Sequence, residues 1–316
     1  MTAPTTAAKP GHTGVEGKFV WMDGDKVPWA EANVHIMTHS LHYGLAVFEG
    51  IRCYNTPRGP AAFRLDEHMM RLYRSAKICG LEPPYPIADL TAAVLDLLRT
   101  NAQPECYIRP IIYFGAGKFG LNNVGAPVRV AIATWKWGAY LGDEGLRRGI
   151  RACVSSFTRL HPNVMMTKAK CSGNYANSQM ARVEAVRNGF DEAILLDPEG
   201  YVIEGSGENI FIVYGRDIDT PPLSSILDGI TRDAVLRICE AEGLRVREAR
   251  MSRDRLYCAD EAFFTGTAAE VTPIREVDRR PIGTGEPGPV TRQLQGIFKR
   301  AAQGEDKRFA NWVQYV

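Results

Sequence analysis

The sequence predicts an α+β protein of two domains, and three observations carry that reading. Helix-period and strand-length apolar runs occur in both halves of the 316 residues. The strand runs are spread among the helices without strict alternation, which argues against a regular parallel doubly wound sheet. Near the middle, Trp137–Gly149 holds Gly138, Gly142, Gly145 and Gly149. Glycine reaches positive φ without steric cost, so that density favours turns and marks a boundary.

Along the chain, Met1–Gly14 is rich in Ala, Thr, Gly and Pro and has no apolar core, so it reads as a disordered tail and not a secretory signal. Asp66–Ile78 carries Met69, Leu72, Tyr73 and Ala76 at i, i+3, i+4, i+7, a one-faced helix. Leu90–Thr100 reads as a second helix. Ile108–Phe114 and Val128–Trp135 have strand length, although Pro110 weakens the first or places it at an edge or bulge. In the second half, Arg151–Phe157, Glu192–Leu196, Asn209–Tyr214 and Glu261–Thr265 read as strands. Tyr175–Arg187 reads as a helix from Ala176, Met180 and Val183, with Gly189 as its stop. Thr231–Ala241 reads as another from Ala234, Val235, Ile238 and Cys239. Tyr214–Gly229 and Pro281–Pro289 read as loops. The expected division is a tail over 1–15, a small N-terminal α+β domain over 16–137, an interdomain loop over 138–148 and a large C-terminal α+β domain over 149–316.

Composition excludes several classes of function. Apolar residues make up 45% and charged residues 23%, which excludes wholesale disorder and coiled coil. The net charge is +2, from 38 Lys plus Arg against 36 Asp plus Glu, and no dense basic patch is visible. Nucleic acid is therefore not expected as the partner. No window reaches 18 continuous apolar residues, so no membrane helix is expected. The seven cysteines form no CxxC pair, and scattered thiols in a reducing, cytoplasmic compartment are the better reading. His35, His39 and His42 have one-faced helical spacing, but hydrogen-bonding histidines near a surface explain them better than a metal site, and none is expected.

Four segments carry chemistry. Met166–Tyr175, MTKAKCSGNY, places Lys168 and Lys170 among small residues before a helix start. A lysine that loses solvent drops in pKa and becomes a nucleophile, whereas on an open loop either would be an ordinary surface charge. Gly200–Phe211, GYVIEGSGENIF, brackets a glycine turn with Glu204 and Glu208. Leu227–Asp233, LDGITRD, runs into a helix start whose first N–H groups have no intrahelical partner and favour a phosphate; plain capping by Thr231 is the alternative. Phe264–Pro273, FTGTAAEVTP, ends a strand in a turn that can present hydroxyl and N–H donors to an anion. A lysine amine, an acid and two donor-rich turns are together the set that pyridoxal phosphate needs.

The chain resembles branched-chain amino acid aminotransferases, pyridoxal-phosphate enzymes of fold type IV. The resemblance covers nearly all of it after the tail. It rests on VHIMTHSLHYGLAVFEGIRCY from Val34, FRLDEHMMRL from Phe63, YIRPIIY from Tyr107 and WKWGAYLG from Trp135, then on AKCSGNY, EGSGENIF, GITRDAV and GTAAEVTP. It implies a two-domain α+β fold, like that of D-amino acid aminotransferase, with pyridoxal 5'-phosphate between the domains. It implies that Lys170 is the catalytic, Schiff-base lysine, selected over Lys168 by its spacing to Gly173-Asn174-Tyr175. Tyr175 matches the tyrosine at the cofactor's ring hydroxyl, and Glu204 the acid facing the pyridine nitrogen. Arg64, Ile230, Thr231 and Thr267 match the phosphate-binding set.

For substrates the resemblance implies L-leucine, L-isoleucine and L-valine, exchanged with 2-oxoglutarate in a ping-pong cycle. Phe48, Trp137 and Tyr140 match the apolar walls, with Tyr43 and Leu121 contributed across a subunit interface. Tyr107, Thr267 and Ala268 match the α-carboxylate site, and Arg109 the group that meets glutamate's side chain. The implied assembly is at least a homodimer, with a hexamer of dimers left open. D-Amino acid aminotransferase and aminodeoxychorismate lyase share the fold; Tyr107-x-Arg109 and GTAAE disfavour the first, and the apolar wall disfavours the second. A non-enzymatic binding protein would have no need of Lys170, Tyr175, Glu204 and Arg64 together.

Overall fold

A computed structural model describes residues 16–138 and 141–316, and both the expected tail over 1–15 and Tyr140 lie outside the described residues. The first half contains strands β1 (Phe19–Met22), β2 (Asp25–Pro28), β3 (Ala46–Phe48), β4 (Ile51–Thr56), β5 (Gly59–Phe63), β6 (Cys106–Phe114) and β7 (Val128–Trp135). Its helices are α1 (His39–Tyr43), α2 (Leu65–Ile78) and α3 (Ile87–Asn101). After α4 (Gly142–Arg148) come β8 (Ile150–Thr158), α5 (Tyr175–Arg187), β9 (Glu192–Leu196), β10 (Val202–Gly205), β11 (Asn209–Tyr214) and β12 (Asp217–Thr220). The chain continues through α6 (Ile230–Ala241), β13 (Arg245–Glu248), α7 (Arg253–Tyr257), β14 (Glu261–Gly266), β15 (Glu270–Val277), β16 (Arg280–Pro281), α8 (Pro289–Ala302) and β17 (Val313–Tyr315).

Two sheets result. The first runs β17-β5-β4-β6-β7-β1-β2, with β3 also on β6, and its pairings are antiparallel. The second runs β10-β9-β8-β15-β14-β11-β12-β13, and the pair Glu204↔Asn209 joins β10 back to β11. It is mixed: β8 lies parallel to both β9 and β15, and β12 parallel to β13. The last strand, β17, returns to the first sheet and pairs with β5. The α+β class holds, because antiparallel hairpins dominate and strict βα alternation is absent.

Helix α2 shows how sequence sets the local structure. Asp66 and Glu67 lie in its first turn and Lys77 in its last, each favourable to the helix dipole. It closes at Gly80, φ +70, where Leu81 N–H reaches back to the Ala76 carbonyl at 2.9 Å. Leu65, Met69, Leu72 and Ala76 are buried in one core with Val94 and Leu97 of α3 and with Ile108, Val130 and Ile132 of the sheet. Each such aliphatic side chain contributes roughly 1.5–3 kcal/mol on burial. A second core packs α6 and α8 against Phe211 and Phe263, and takes in Phe63 and Trp312 from the first sheet's edge.

Several expectations need correction. The stretch 138–148, read as a loop, contains α4, whose Asp143, Glu144, Arg147 and Arg148 place acids first and bases last. Tyr214–Gly229, also read as a loop, contains β12 with Ile218, Asp219 and Thr220 buried. Pro110 lies in a central strand. It needs no partner for its missing N–H because the neighbouring strand breaks there, between β3 paired to Ile111 and β4 paired to Ile108. In α5 the row Ala176, Met180, Val183 faces outward, and Asn177, Ser178, Ala181 and Ala185 are buried instead. The polar pair is inside because it hydrogen-bonds an arginine at the site described next.

Candidate active site

Lys170 precedes the short turn into α5, and its backbone is stitched to the first half of the chain. Its N–H donates to Ser75 Oγ of α2 at 3.0 Å, and its carbonyl accepts Phe48 N–H at 3.1 Å. Cys171 forms a bridge with Val47. With the backbone fixed on both sides, Nζ donates to the Tyr175 hydroxyl at 2.8 Å and lies 5.2 Å from the centre of the Phe48 ring. Lys168 has a different fate. It pairs with Asp228 and its side chain is 37% exposed. The geometry separates the two lysines: Lys170 lines the cleft and Lys168 does not.

Glu204 lies in the cleft on β10, buried. Arg159 Nε donates to it at 2.6 Å, and Arg159 Nη1 is held by Ser178 Oγ at 3.2 Å and Asn177 Oδ1 at 3.4 Å. Burial raises the Glu204 carboxyl above its ordinary value, and the charges of Arg159 and Lys170 pull it back without cancelling the rise. Glu208, also buried, is raised further by desolvation and by the nearby Glu192 carboxylate.

The turn before α6 forms another wall. Gly229 is the helix N-cap and has no side-chain cap, so the first amides of Ile230 and Thr231 are left for a ligand. A Cβ at Gly229 would lie 1.9 Å from Asn209 Oδ1, so only glycine fits this approach. Asn209 Nδ2 in turn donates to the Leu227 carbonyl at 3.3 Å. Thr267 lines the same cleft, as does Thr265, whose buried hydroxyl has no partner among the described residues.

Arg64 reaches the first turn of α6 but does not line the cleft. It caps α2 in the left-handed region, φ 53, and donates to Glu67 at 2.5 Å and to Asp233 at 2.9 Å. The arginine of α2 that lines the cleft is Arg71, two turns on. Its Nε and Nη2 grip the two oxygens of Glu49 at 2.6 and 2.8 Å, and its Nη1 donates to the Asp228 carbonyl at 2.8 Å. His68 Nδ1 reaches the same Glu49 at 2.7 Å. Burial would raise Glu49, but Arg71 and His68 together hold its carboxyl far below the usual range.

The expected substrate residues gather on the other side of Lys170. The Phe48 ring lies 5.0 Å from Tyr175, and the Arg109 guanidinium 4.6 Å from Phe48. Tyr107 meets Trp137 edge-on at 4.7 Å. A Cβ at Gly50 would lie 1.8 Å from the Tyr107 hydroxyl, so glycine is what admits that phenol. Buried Arg109 Nε has no partner among the described residues. Thr267 and Ala268 occupy the turn between β14 and β15. Tyr43 and Leu121 do not join them: they are 36% and 88% exposed, on a surface shared with Ile36, Leu41 and Phe119. The histidines bond locally, His39 to the Gly120 carbonyl and His42 to that of Ile36. Among the described residues no group of three or more His, Cys, Asp or Glu could hold a metal ion, and no helix is long and apolar enough to cross a membrane.

Arg71, Arg159, Asn209 and Thr265 were missed by sequence reasoning. Arg71 stands inside FRLDEHMMRL, where a helical count from Arg64 places both arginines near one face. Arg159, in the loop after β8, carries no periodic signal.

Residues 46–277 match the model of the amino-transferase class IV family. The chain belongs to the class IV aminotransferase family. The branched-chain-amino-acid aminotransferase of Pseudomonas aeruginosa is 50% identical over 297 residues, which cover 94% of this chain and 97% of that one. The Escherichia coli K12 enzyme of the same name is 46% identical over 306 residues, 96% of this chain and 99% of its own. Among solved structures, the T.th. branched-chain amino acid aminotransferase with pyridoxamine 5'-phosphate superposes with a TM-score of 0.93 at 48% identity, over 95% of this aminotransferase and 99% of that chain. The Escherichia coli structure gives a TM-score of 0.93 at 46% identity with the same coverage.

Proposed function

We propose that this aminotransferase exchanges the amino group of L-leucine, L-isoleucine and L-valine with 2-oxoglutarate, giving branched-chain 2-oxo acids and L-glutamate in a ping-pong cycle with pyridoxal 5'-phosphate. The observation that carries the reading is one cleft that the Lys170 amine, 2.8 Å from the Tyr175 hydroxyl and 5.2 Å from the Phe48 ring, lines together with buried Glu204. The donor set fits the cofactor. The uncapped start of α6, Arg71 and the unpartnered Thr265 hydroxyl offer donors for a phosphate, and Glu204 offers an acceptor for a protonated ring nitrogen.

When bound, pyridoxal 5'-phosphate supplies a carbonyl that condenses with amines and an electron sink for the substrate Cα. The protein supplies the rest. Arg159 offsets part of the burial penalty on the Glu204 carboxylate. Tyr175 holds Lys170 Nζ in place through its hydroxyl. With the cofactor bound, Nζ would take the proton from the substrate Cα and move it on, a positioned transfer worth typically 10²–10⁴-fold.

Phe48 and Trp137 offer an apolar wall for an aliphatic side chain, and the Arg109 guanidinium, 4.6 Å from the Phe48 ring with its Nε unpartnered among the described residues, is the candidate for the second carboxylate of glutamate. Tyr107, Thr267 and Ala268 are assigned to the α-carboxylate. The exposed surface around Tyr43, Phe119 and Leu121 supports a homodimer in which each copy completes its partner's cleft. Seven free cysteines fit a reducing, cytoplasmic compartment. The test is a two-substrate assay: leucine with 2-oxoglutarate should yield glutamate with parallel double-reciprocal lines. Failure to form glutamate would refute the reading.

A further inference from the structure

Behind the cleft, a second cluster joins three segments that face the substrate. Arg52 and Tyr54 are two residues apart on β4 and so share a face. The Tyr54 hydroxyl donates to Glu270 Oε1 at 2.9 Å, and Arg52 Nη1 donates to the same oxygen at 3.0 Å. Arg52 Nη2 reaches the other way, to the carbonyl of Gly138 at 2.9 Å and that of Trp137 at 3.4 Å. The side chains of Arg52 and Glu270 are only 9% and 21% exposed.

Each partner leads to a different part of the substrate wall. Arg52 is the cross-strand neighbour of Tyr107. Trp137, whose carbonyl it holds, packs edge-on against that same tyrosine. Glu270 closes the turn that carries Thr267 and Ala268, pairing with Gly266 across its base. Its backbone is left-handed, φ +53, a conformation a non-glycine residue keeps only when its surroundings hold it there. Burial and the Glu270 charge raise Tyr54 well above its ordinary value, so the phenol stays a donor. None of the three side chains lines the cleft that holds Lys170.

We propose that Arg52, Tyr54 and Glu270 form a positioning clamp: from behind the cleft they lock the Trp137–Gly138 segment, the Thr267–Ala268 turn and Tyr107 into one substrate-binding wall. The inference rests on the transaminase reading. A guanidinium suits this task because its planar fork serves a carboxylate and two carbonyls at once, which an ammonium on a flexible stem does not. The clamp sets how tightly the amino acid and the 2-oxo acid are held, while Lys170, Glu204, Arg71 and the start of α6 are positioned by other residues.

The experiment compares Arg52→Lys, Glu270→Gln and Tyr54→Phe with the wild type. It reads kcat and KM for leucine and 2-oxoglutarate, cofactor affinity by visible-absorbance titration, and the thermal midpoint. The expected result for Arg52→Lys and Glu270→Gln is a loss of about 10- to 100-fold in kcat/KM, the scale of a displaced binding wall, carried mainly by KM, with cofactor affinity lowered far less because Thr267 is only one of its donors. Tyr54→Phe deletes one hydroxyl and should show the same pattern more weakly, which keeps the test open should a charge variant fail to fold. Unchanged KM, or cofactor affinity and thermal midpoint falling in step with activity, would overturn the clamp. A wild type that does not turn over leucine would overturn the transaminase reading, and the clamp with it.

Discussion

Lys170 Nζ donates a hydrogen bond to the Tyr175 hydroxyl at 2.8 Å, across the short turn that opens α5. Two residues before it, Lys168 is tied to Asp228 at the cleft's outer edge. The pair therefore makes a sharp comparison. Lys170→Ala should lower turnover by at least about 10²-fold, the lower bound for a positioned acid–base group. Lys168→Ala should retain most of it. Steady-state assays on both variants decide the matter, and an equal loss in both would show that the geometry does not select the lysine.

Arg64, the N-cap of α2, and Arg71 within the helix give a second comparison. Arg71→Ala should weaken pyridoxal 5'-phosphate binding by about tenfold or more, the worth of a charge-assisted hydrogen bond. Arg64→Ala should leave affinity nearly unchanged, because Arg64, unlike Arg71, does not line the cleft that holds Lys170. Equilibrium dialysis of the cofactor reads both. The reverse ranking would restore Arg64 to the phosphate site.

Arg109 should matter to one substrate class more than the other. Its buried Nε lacks a partner among the described residues, and a carboxylate is the partner that glutamate and 2-oxoglutarate bring. Arg109→Ala should lower kcat/KM for glutamate by about 10- to 100-fold, equivalent to a lost hydrogen bond between charged groups. The loss for leucine should be much smaller. Comparable losses for both amino acids would contradict dual recognition.

Glu49 predicts a pH effect on stability. It is wholly buried, and its net shift is downward because Arg71 and His68 outweigh desolvation. Glu49→Gln breaks a buried pair and should cost about 3–5 kcal/mol at neutral pH. A depressed carboxyl contributes its stability above the unfolded pKa, about 4.3, and loses it as pH falls through the lower folded value. The gap between wild type and variant should thus be full at about pH 6 and shrink below about pH 4. Denaturant titrations at a series of pH values measure it, and a gap that widens in acid would refute the assignment.

What the sequence made legible follows from where the information is local. Helix α5 begins and ends where the pattern over Tyr175–Arg187 places it, yet its buried face was misread. Apolar spacing could not show that Asn177 and Ser178 turn inward to an arginine on another element. Likewise, β17 and α4 are short, and only their tertiary partners define them: β5 for the strand, β15 for the helix. In the candidate site, Lys170, Tyr175 and Glu204 stand in compact segments and were readable. Arg159 and the clamp of Arg52 with Glu270, 218 positions apart, depend on contacts between remote segments that no local pattern records.

The most direct test is the visible spectrum of the purified protein with L-leucine, L-glutamate and D-alanine in separate cuvettes. The expected result is a coloured cofactor band that bleaches with leucine and with glutamate and persists with D-alanine. Bleaching with D-alanine alone, or a band that responds to none of the three, would contradict the assignment of Lys170 and its cleft to L-branched-chain transamination.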